Sequence, residues 1–144
     1  MTLGAPILRP LRLEEAAAVA EVVSREPPER LEETLLWLLG EDFDRELWFL
    51  AHGGDSLAGI ALCRRHRTRL DTGRVQVLGV RRPRRRRGIG RALLLHAFAE
   101  LRRRGLGNAG LGVDAASLTG AHRLYERAGM TVAHRFAIYE KALA

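Results

Sequence analysis

The sequence predicts a single α/β domain built on a mixed sheet, and three observations predict it. The 144 residues suffice for one domain with a real core and fall short of two ordinary ones. A hydrophobic share of 47% with 28% charged residues belongs to a folded globular chain. Apolar positions switch repeatedly between strand alternation and helical spacing, in the order β-α-α-β-β-β-α-β-α-β. One domain over residues 1–144 is expected, with no internal repeat and no linker.

Ile7-Leu8-Arg9 reads as a first strand, and Leu13 to Val23 as a helix that ends before Pro27-Pro28. Those prolines suit the entry to a second helix, in which Leu31, Leu35 and Leu38 recur at helical spacing beside Trp37. Leu47 to His52 and Leu57 to Cys63 are apolar runs separated by Gly53-Gly54-Asp55, a hairpin signal. Arg74 to Val80 is the next strand. The helix that begins near Gly88 carries Ile89, Leu93, Ala97 and Leu101 in one stripe, and Arg102, Arg103 and Arg104 close it at the negative end of its dipole. Leu111-Gly112-Val113 reads as a short strand. Ala121, Leu124, Tyr125 and Ala128 define the apolar face of a last helix, stopped by Gly129 as a left-handed cap. Thr131 to Leu143 alternates through Val132, His134, Phe136 and Ile138 and reads as one or two closing strands.

Bulk features narrow the function classes. The net charge of +7 suggests a polyanion partner, yet nearly all of the positive charge is Arg, with Lys141 the only Lys. Arg excess beside so much Ala, Leu and Gly has the look of compositional bias, and 6% aromatic residues give no stacking row for single-stranded nucleic acid. These features argue against a nucleic-acid partner. Cys63 is the only cysteine, which excludes an internal disulfide and fits a reducing compartment. The five His residues show no Cys or His partner at zinc-ligand spacing, so no metal is expected. Neither a signal-type apolar segment nor a run of 18 apolar residues occurs, so a cytoplasmic protein without a membrane partner is expected.

The most telling stretch lies between Arg74 and Arg104. An apolar strand runs into Arg81-Arg82-Pro83-Arg84-Arg85-Arg86-Arg87, then Gly88-Ile89-Gly90, then the helix. A helix mouth presents unpaired N–H groups and the positive end of the dipole, which together bind phosphate. Gly88 and Gly90 are read as clearing side chains from the path of a ligand. A P-loop is excluded because Gly90 is followed by Arg91-Ala92 rather than Lys-Ser/Thr. A dinucleotide fingerprint fails because Leu93 stands where a third glycine is needed. The literal GxGxxG at Gly105 to Gly110 follows a helix and precedes a strand, the reverse of the required context, and reads as a flexible connection.

Arg85-x-x-Gly88-x-Gly90 between strand and helix resembles the signature of the GCN5-related N-acetyltransferase family. Gly112-Val113-Asp114 and then Ala121-His122-Arg123-Leu124-Tyr125-Glu126-Arg127-Ala128-Gly129-Met130 are similar to that family's later strand and helix, and Leu8-Arg9-Pro10 to its opening. The C-terminal portion looks nearest to mycothiol-synthase-like and ribosomal-protein-alanine-acetyltransferase-like members; mycothiol synthases carry two such domains and this chain has room for one. The resemblance implies a mixed, mostly antiparallel sheet flanked by helices, the acyl-CoA N-acyltransferase fold, with acetyl-CoA as co-substrate. It further implies that the backbone amides of Arg86, Arg87, Gly88, Ile89, Gly90 and Arg91 hold the pyrophosphate, with Arg85 also among the cofactor-binding residues of the cradle. Leu78, Gly79 and Val80 would pair with the pantetheine arm, and a backbone N–H there would polarise the thioester carbonyl. Tyr125 matches the family's general acid; its phenol, with an ordinary pKa of about 10, is protonated at neutral pH. The competing reading of Tyr125 is core packing, since it shares the stripe of Ala121, Leu124 and Ala128.

The general base is not legible. The family often places Glu or Asp on the strand before the cradle, where this chain has Arg74 and Gln76, and neither accepts a proton at neutral pH. Base duty falls to a water held by Gln76, to a carboxylate such as Asp114, or to no residue if the acceptor amine has a low pKa. The plainer reading of Asp114 is a turn or helix-entry residue. The family's usual Asn before the last helix is absent; Ser117 stands near that place, as a cofactor hydrogen-bond donor or a helix cap. Arg81, Arg82 and Arg84 are open between the cofactor's 3′-phosphate, an acidic partner and solvent, and Cys63 reads as a small core residue. The expected activity is direct acetyl transfer to a primary amine of a small molecule or peptide. A non-catalytic acyl-CoA sensor on the same fold is the rival, and a homodimer is left open.

Overall fold

The computed structural model describes residues 7–10, 15, 18–19, 40, 43–54, 56–113 and 121–144. Strands β1 (Ile7–Pro10), β2 (Trp48–Gly53), β3 (Ser56–Arg65), β4 (Thr72–Val80) and β5 (Asn108–Gly110) form one five-stranded sheet in sequential order. β1 to β4 pair antiparallel, and β5 joins β4 in parallel. Short turns join β2 to β3 and β3 to β4. After β3 the His66 ring accepts the N–H groups of Thr68 and Arg69 and closes the turn into β4. A parallel pair instead needs a crossover, and helix α1 (Ile89–Arg103) supplies it between β4 and β5. β4 carries an extra residue: Val75 lies opposite Cys63 and Val77 opposite Leu62, so Gln76 is the bulge.

The α1 stripe of Ile89, Leu93, Leu94, Ala97 and Leu101 is buried against one face of the sheet, with Phe49, Ala61, Cys63 and Val75. Each fully buried leucine there is worth about 1.5–3 kcal/mol. Trp48, Leu50, Ile60 and Leu62 point to the opposite face and gather around Val19. The α1 end is a Schellman cap, in which the N–H groups of Gly105 and Leu106 bond Arg102 O and Leu101 O. Arg104 then ties that end to Asp44, Glu46 and Glu100. Helix α2 (Ala121–Arg127) follows. Among the described residues no helix is long and apolar enough to cross a membrane.

Two expectations are corrected. The fifth strand is Asn108–Gly110 rather than Leu111–Val113. The carbonyl of Asp71 accepts both Gly107 N–H and Asn108 N–H, and Asn108 Nδ2 bonds the Asp71 carboxylate at 2.9 Å. These contacts pin the glycine-rich stretch to the start of β4, so pairing begins earlier than hydrophobicity suggests. The predicted closing strands are absent: residues 131–144 form neither strand nor helix and are exposed throughout, Phe136, Ile138 and Tyr139 at 89–94%. Alternation makes a strand only where a neighbour accepts its N–H and C=O groups, and no described strand lies beside this segment. Most of the predicted helix Leu13–Val23, apart from a helical Ala18–Val19, and the whole helix around Leu31 to Leu38 lie outside the described residues.

Candidate functional site

β4 has two unlike halves. Thr72, Gly73 and Arg74 pair with β5, whereas Val75 to Val80 run on with β3 alone beside them. The edge of β4 beyond Arg74 that faces β5 therefore has no described strand on it. Leu78, Gly79 and Val80 lie half-buried on that edge, and their backbone groups turned away from β3 are open to a ligand that mimics a strand.

Beyond Val80 the chain is held tightly before it opens. Arg81 N–H bonds Ala58 O at 2.9 Å, and a 3-10 turn follows at Arg82–Arg84 with Pro83 in its first turn. Arg84 folds back on the β2–β3 hairpin, donating to Gly53 O at 3.3 Å and Ser56 Oγ at 3.0 Å. Arg85 Nε donates to Val80 O at 3.0 Å and ties the loop to the strand that precedes it. Arg86 (φ 65°) and Gly88 (φ 78°) then both adopt the left-handed region. That geometry is costly for Arg86 and ordinary for Gly88.

The first backbone bond of α1 runs from Ala92 N–H to Gly88 O, and Gly88 supplies no side-chain cap. The N–H groups from Arg86 to Arg91 thus donate no hydrogen bond among the described residues. The side chains of Arg81, Arg82, Arg86, Arg87 and Arg91 stand exposed around them without a described partner. Ile89 turns its side chain into the core and offers only its N–H. Positive dipole, open amides and guanidinium groups converge here, and the chemistry they fit is a multiply charged anion such as a pyrophosphate.

Gly90 has a packing reason beside the expected one. A Cβ on Gly90 would lie 3.3 Å from Leu124 Cδ2 and 3.6 Å from Val80 Cγ2, so this glycine admits α2 to the mouth of α1. Tyr125 follows Leu124 and packs half-buried against the main core cluster. Burial pushes its phenol pKa up, so the hydroxyl keeps its proton further into the alkaline range. That hydroxyl makes no hydrogen bond among the described residues. A second Schellman cap holds Tyr125 from behind, because Met130 N–H bonds Tyr125 O at 3.0 Å and Gly129 N–H bonds Glu126 O at 3.0 Å. One turn earlier, His122 Nε2 is buried without a partner.

Asp114 and Ser117 lie outside the described residues. Burial pushes the Cys63 thiol up to about 12, which leaves it inert as a nucleophile. No group of three or more His, Cys, Asp and Glu side chains among the described residues is placed to hold a metal ion. Sequence reasoning missed the Arg84 tether, the Gln76 bulge and the Leu124–Gly90 contact.

The sequence matches the family described as "Acetyltransferase (GNAT) family" over residues 14–130. A GCN5-related N-acetyltransferase from Sphaerobacter thermophilus is similar at 37% identity and TM-score 0.77, over 93% of this chain and 44% of that one. The present chain therefore spans less than half of that protein's length. The ribosomal-protein-S18-alanine N-acetyltransferase from Escherichia coli is similar at 26% identity and TM-score 0.70, over 86% of this chain and 76% of that one. An aminoglycoside N-acetyltransferase solved with CoA shares the fold at 14% identity and TM-score 0.76, over 99% of both chains. No protein with a curated description matches.

Proposed function

Because the chain belongs to the acetyltransferase (GNAT) family, we propose that it transfers an acetyl group from acetyl-CoA to a primary amine within a ternary complex. The observation that carries this reading is the unbroken row of open N–H groups from Arg86 to Arg91 at the α1 mouth. Those amides would hold the pyrophosphate, and the exposed guanidinium groups of Arg87 and Arg91 would add charge. Leu78, Gly79 and Val80 would bind the pantetheine amides along the open half of β4. Acetyl-CoA, when bound, supplies the activated acyl group as a thioester.

The remaining work falls to this chain. A β4 N–H near Gln76 or Val77 polarises the carbonyl, and the bulge there turns one such group out of the ladder with β3. As the new C–N bond forms and the C–S bond breaks, Tyr125 holds a proton for the departing sulfur, and the amine loses one to solvent. Burial keeps that phenol protonated at neutral pH. Holding both substrates in one cleft removes much of the entropic barrier between them.

Calorimetry with acetyl-CoA, followed by thiol release with a panel of amines, tests the proposal. Micromolar binding and turnover of at least one amine support it; no affinity for acetyl-CoA overturns it. Arg74 and Gln76 stand where a basic carboxylate would serve, which favours a second reading, an acyl-CoA sensor. Binding without thiol release for any amine would select that reading.

A further inference from the structure

The two faces of the sheet divide the proposed site. Gly73 faces α1, since a Cβ there would press on the Leu101 side chain, and strand alternation sends Arg74 to the opposite face. On β3, Ile60 and Leu62 lie on that opposite face, and the same alternation places Arg64 there. Arg64 and Arg74 are direct partners in the β3–β4 register. Arg74 is moreover only partly exposed, its Nε is buried with no hydrogen-bond partner, and it forms no ion pair among the described residues. Burying a guanidinium N–H unsatisfied is costly.

The place is as telling as the charge. Arg74 is the last β4 residue paired with β5, at the apex of the fork. Its Nη2 reaches along β5 to Gly112, 3.5 Å from where a Cβ would stand on that residue. Gln76, beside which the proposed thioester would lie, is two residues further on, about 7 Å along the strand. We infer that Arg74 is the subsite for a carboxylate on the acceptor. The substrate class is then a small amine that bears a carboxylate within several ångströms of its nitrogen, as amino acids do. Polycationic amines are disfavoured by the same charge. The inference rests on the acetyltransferase reading and deepens it.

The test measures thiol release from acetyl-CoA with the twenty amino acids, their α-carboxamides and spermidine, for wild type, Arg74→Gln and Arg74→Lys. Expected is a preference of about a hundredfold or more in kcat/KM for the acid over its carboxamide, as buried polar groups left unpaired allow. Arg74→Gln should erase that preference mainly through KM, and Arg74→Lys should restore part of it. Acetyl-CoA affinity by calorimetry should stay unchanged. Thermal stability of Arg74→Gln should hold or rise, because an unmatched cation is removed; a fall would mark Arg74 as structural and overturn the inference. So would carboxamides or spermidine used as well as the acids, or an unaltered preference in Arg74→Gln, and in those cases acetyl-CoA binding would leave the acetyltransferase reading standing. Loss of acetyl-CoA binding from wild type would take down both.

Discussion

In the proposed reaction the atoms that act at the mouth of α1 belong to the backbone, whereas on α2 the acting atom would be a single phenol oxygen. Around Arg86 to Arg91 the side chains are mostly exposed, and what matters is that their N–H groups stay open. On α2 the Tyr125 ring is packed into the core cluster and its backbone is locked by the Gly129–Met130 cap. On that proposal, side-chain chemistry in the cradle is replaceable except where it blocks or bends the backbone. On α2 the proposal reverses this, with packing that would present one hydroxyl. Gly90 joins the two regions, since Leu124 sits where its side chain would be.

The largest effect that sharpens this contrast is expected from Tyr125→Phe. kcat should fall about 10²–10⁴-fold if proton donation limits the rate. Acetyl-CoA affinity and thermal stability should not move, because the ring stays and the lost hydroxyl bonds nothing described. A kcat within twofold of wild type would remove Tyr125 from the chemistry. The pH profile is the companion measurement. The acid form is populated below the phenol pKa, and burial raises that pKa above its ordinary value. Wild-type kcat should thus keep its acid-catalysed rate further into the alkaline range than an ordinary phenol would allow. With no protein base, the rising limb should follow the acceptor amine and move with its pKa. An inflection that stays put across acceptors would reveal a base on the protein.

Next in size is Gly90→Asp. It places a negative charge at the anion site and a side chain against Leu124. Acetyl-CoA affinity should drop roughly a hundredfold or more, the worth of one or two hydrogen bonds to a charged group. Gly90→Ala separates the two causes: it presses on Leu124 without adding charge, and should cost rate through Tyr125 more than affinity. Native circular dichroism with unchanged affinity in Gly90→Asp would break the assignment of the cradle.

A smaller effect is expected from the arginines. Arg85→Ala removes the tether to Val80 O and should cost about 1 kcal/mol of stability. Arg81→Ala and Arg82→Ala, exposed and without described partners, should change acetyl-CoA affinity only modestly, and less at high salt. Equal, large losses at all three positions would mean that the cradle works through its side chains after all.

The smallest effect lies at the far end of α1. Arg103 first, with Arg104, holds the Glu100 carboxyl below its ordinary range through hydrogen bonds. That contribution to stability is complete above the ordinary carboxylate pKa and is lost as pH falls through the lowered one. Glu100→Gln should flatten the acid side of the stability curve slightly and leave acetyl-CoA binding untouched, as thermal melts across pH would report.

Legibility in the sequence followed the same division. The strand into Val80, the stripe from Ile89 to Leu101, the helix over Ala121 to Ala128 and the Gly129 cap were all readable, because each is a local pattern with a local cause. Gly88 was readable for its backbone freedom. The start of β5 was not: its register depends on Asp71, which bonds Gly107 and Asn108 far along the chain. Arg84 was left open between ligand and solvent, and its acceptors Gly53 and Ser56 lie across the hairpin. Val132 to Ile138 alternates as convincingly as β4 does, yet it lies exposed because no described strand is its neighbour.

The amino-acid order by itself thus determined the fold class and the strand–loop–helix order of the proposed cradle, and singled out Tyr125 for the proposed acid, since periodicity, glycine and helix ends act over a few residues. Tertiary structure alone decided that β4 parts from β5 after Arg74, that Gly90 admits Leu124, and that Arg64 faces Arg74. Those are contacts between residues distant in the chain, and their energies come from packing and pairing that no local pattern encodes.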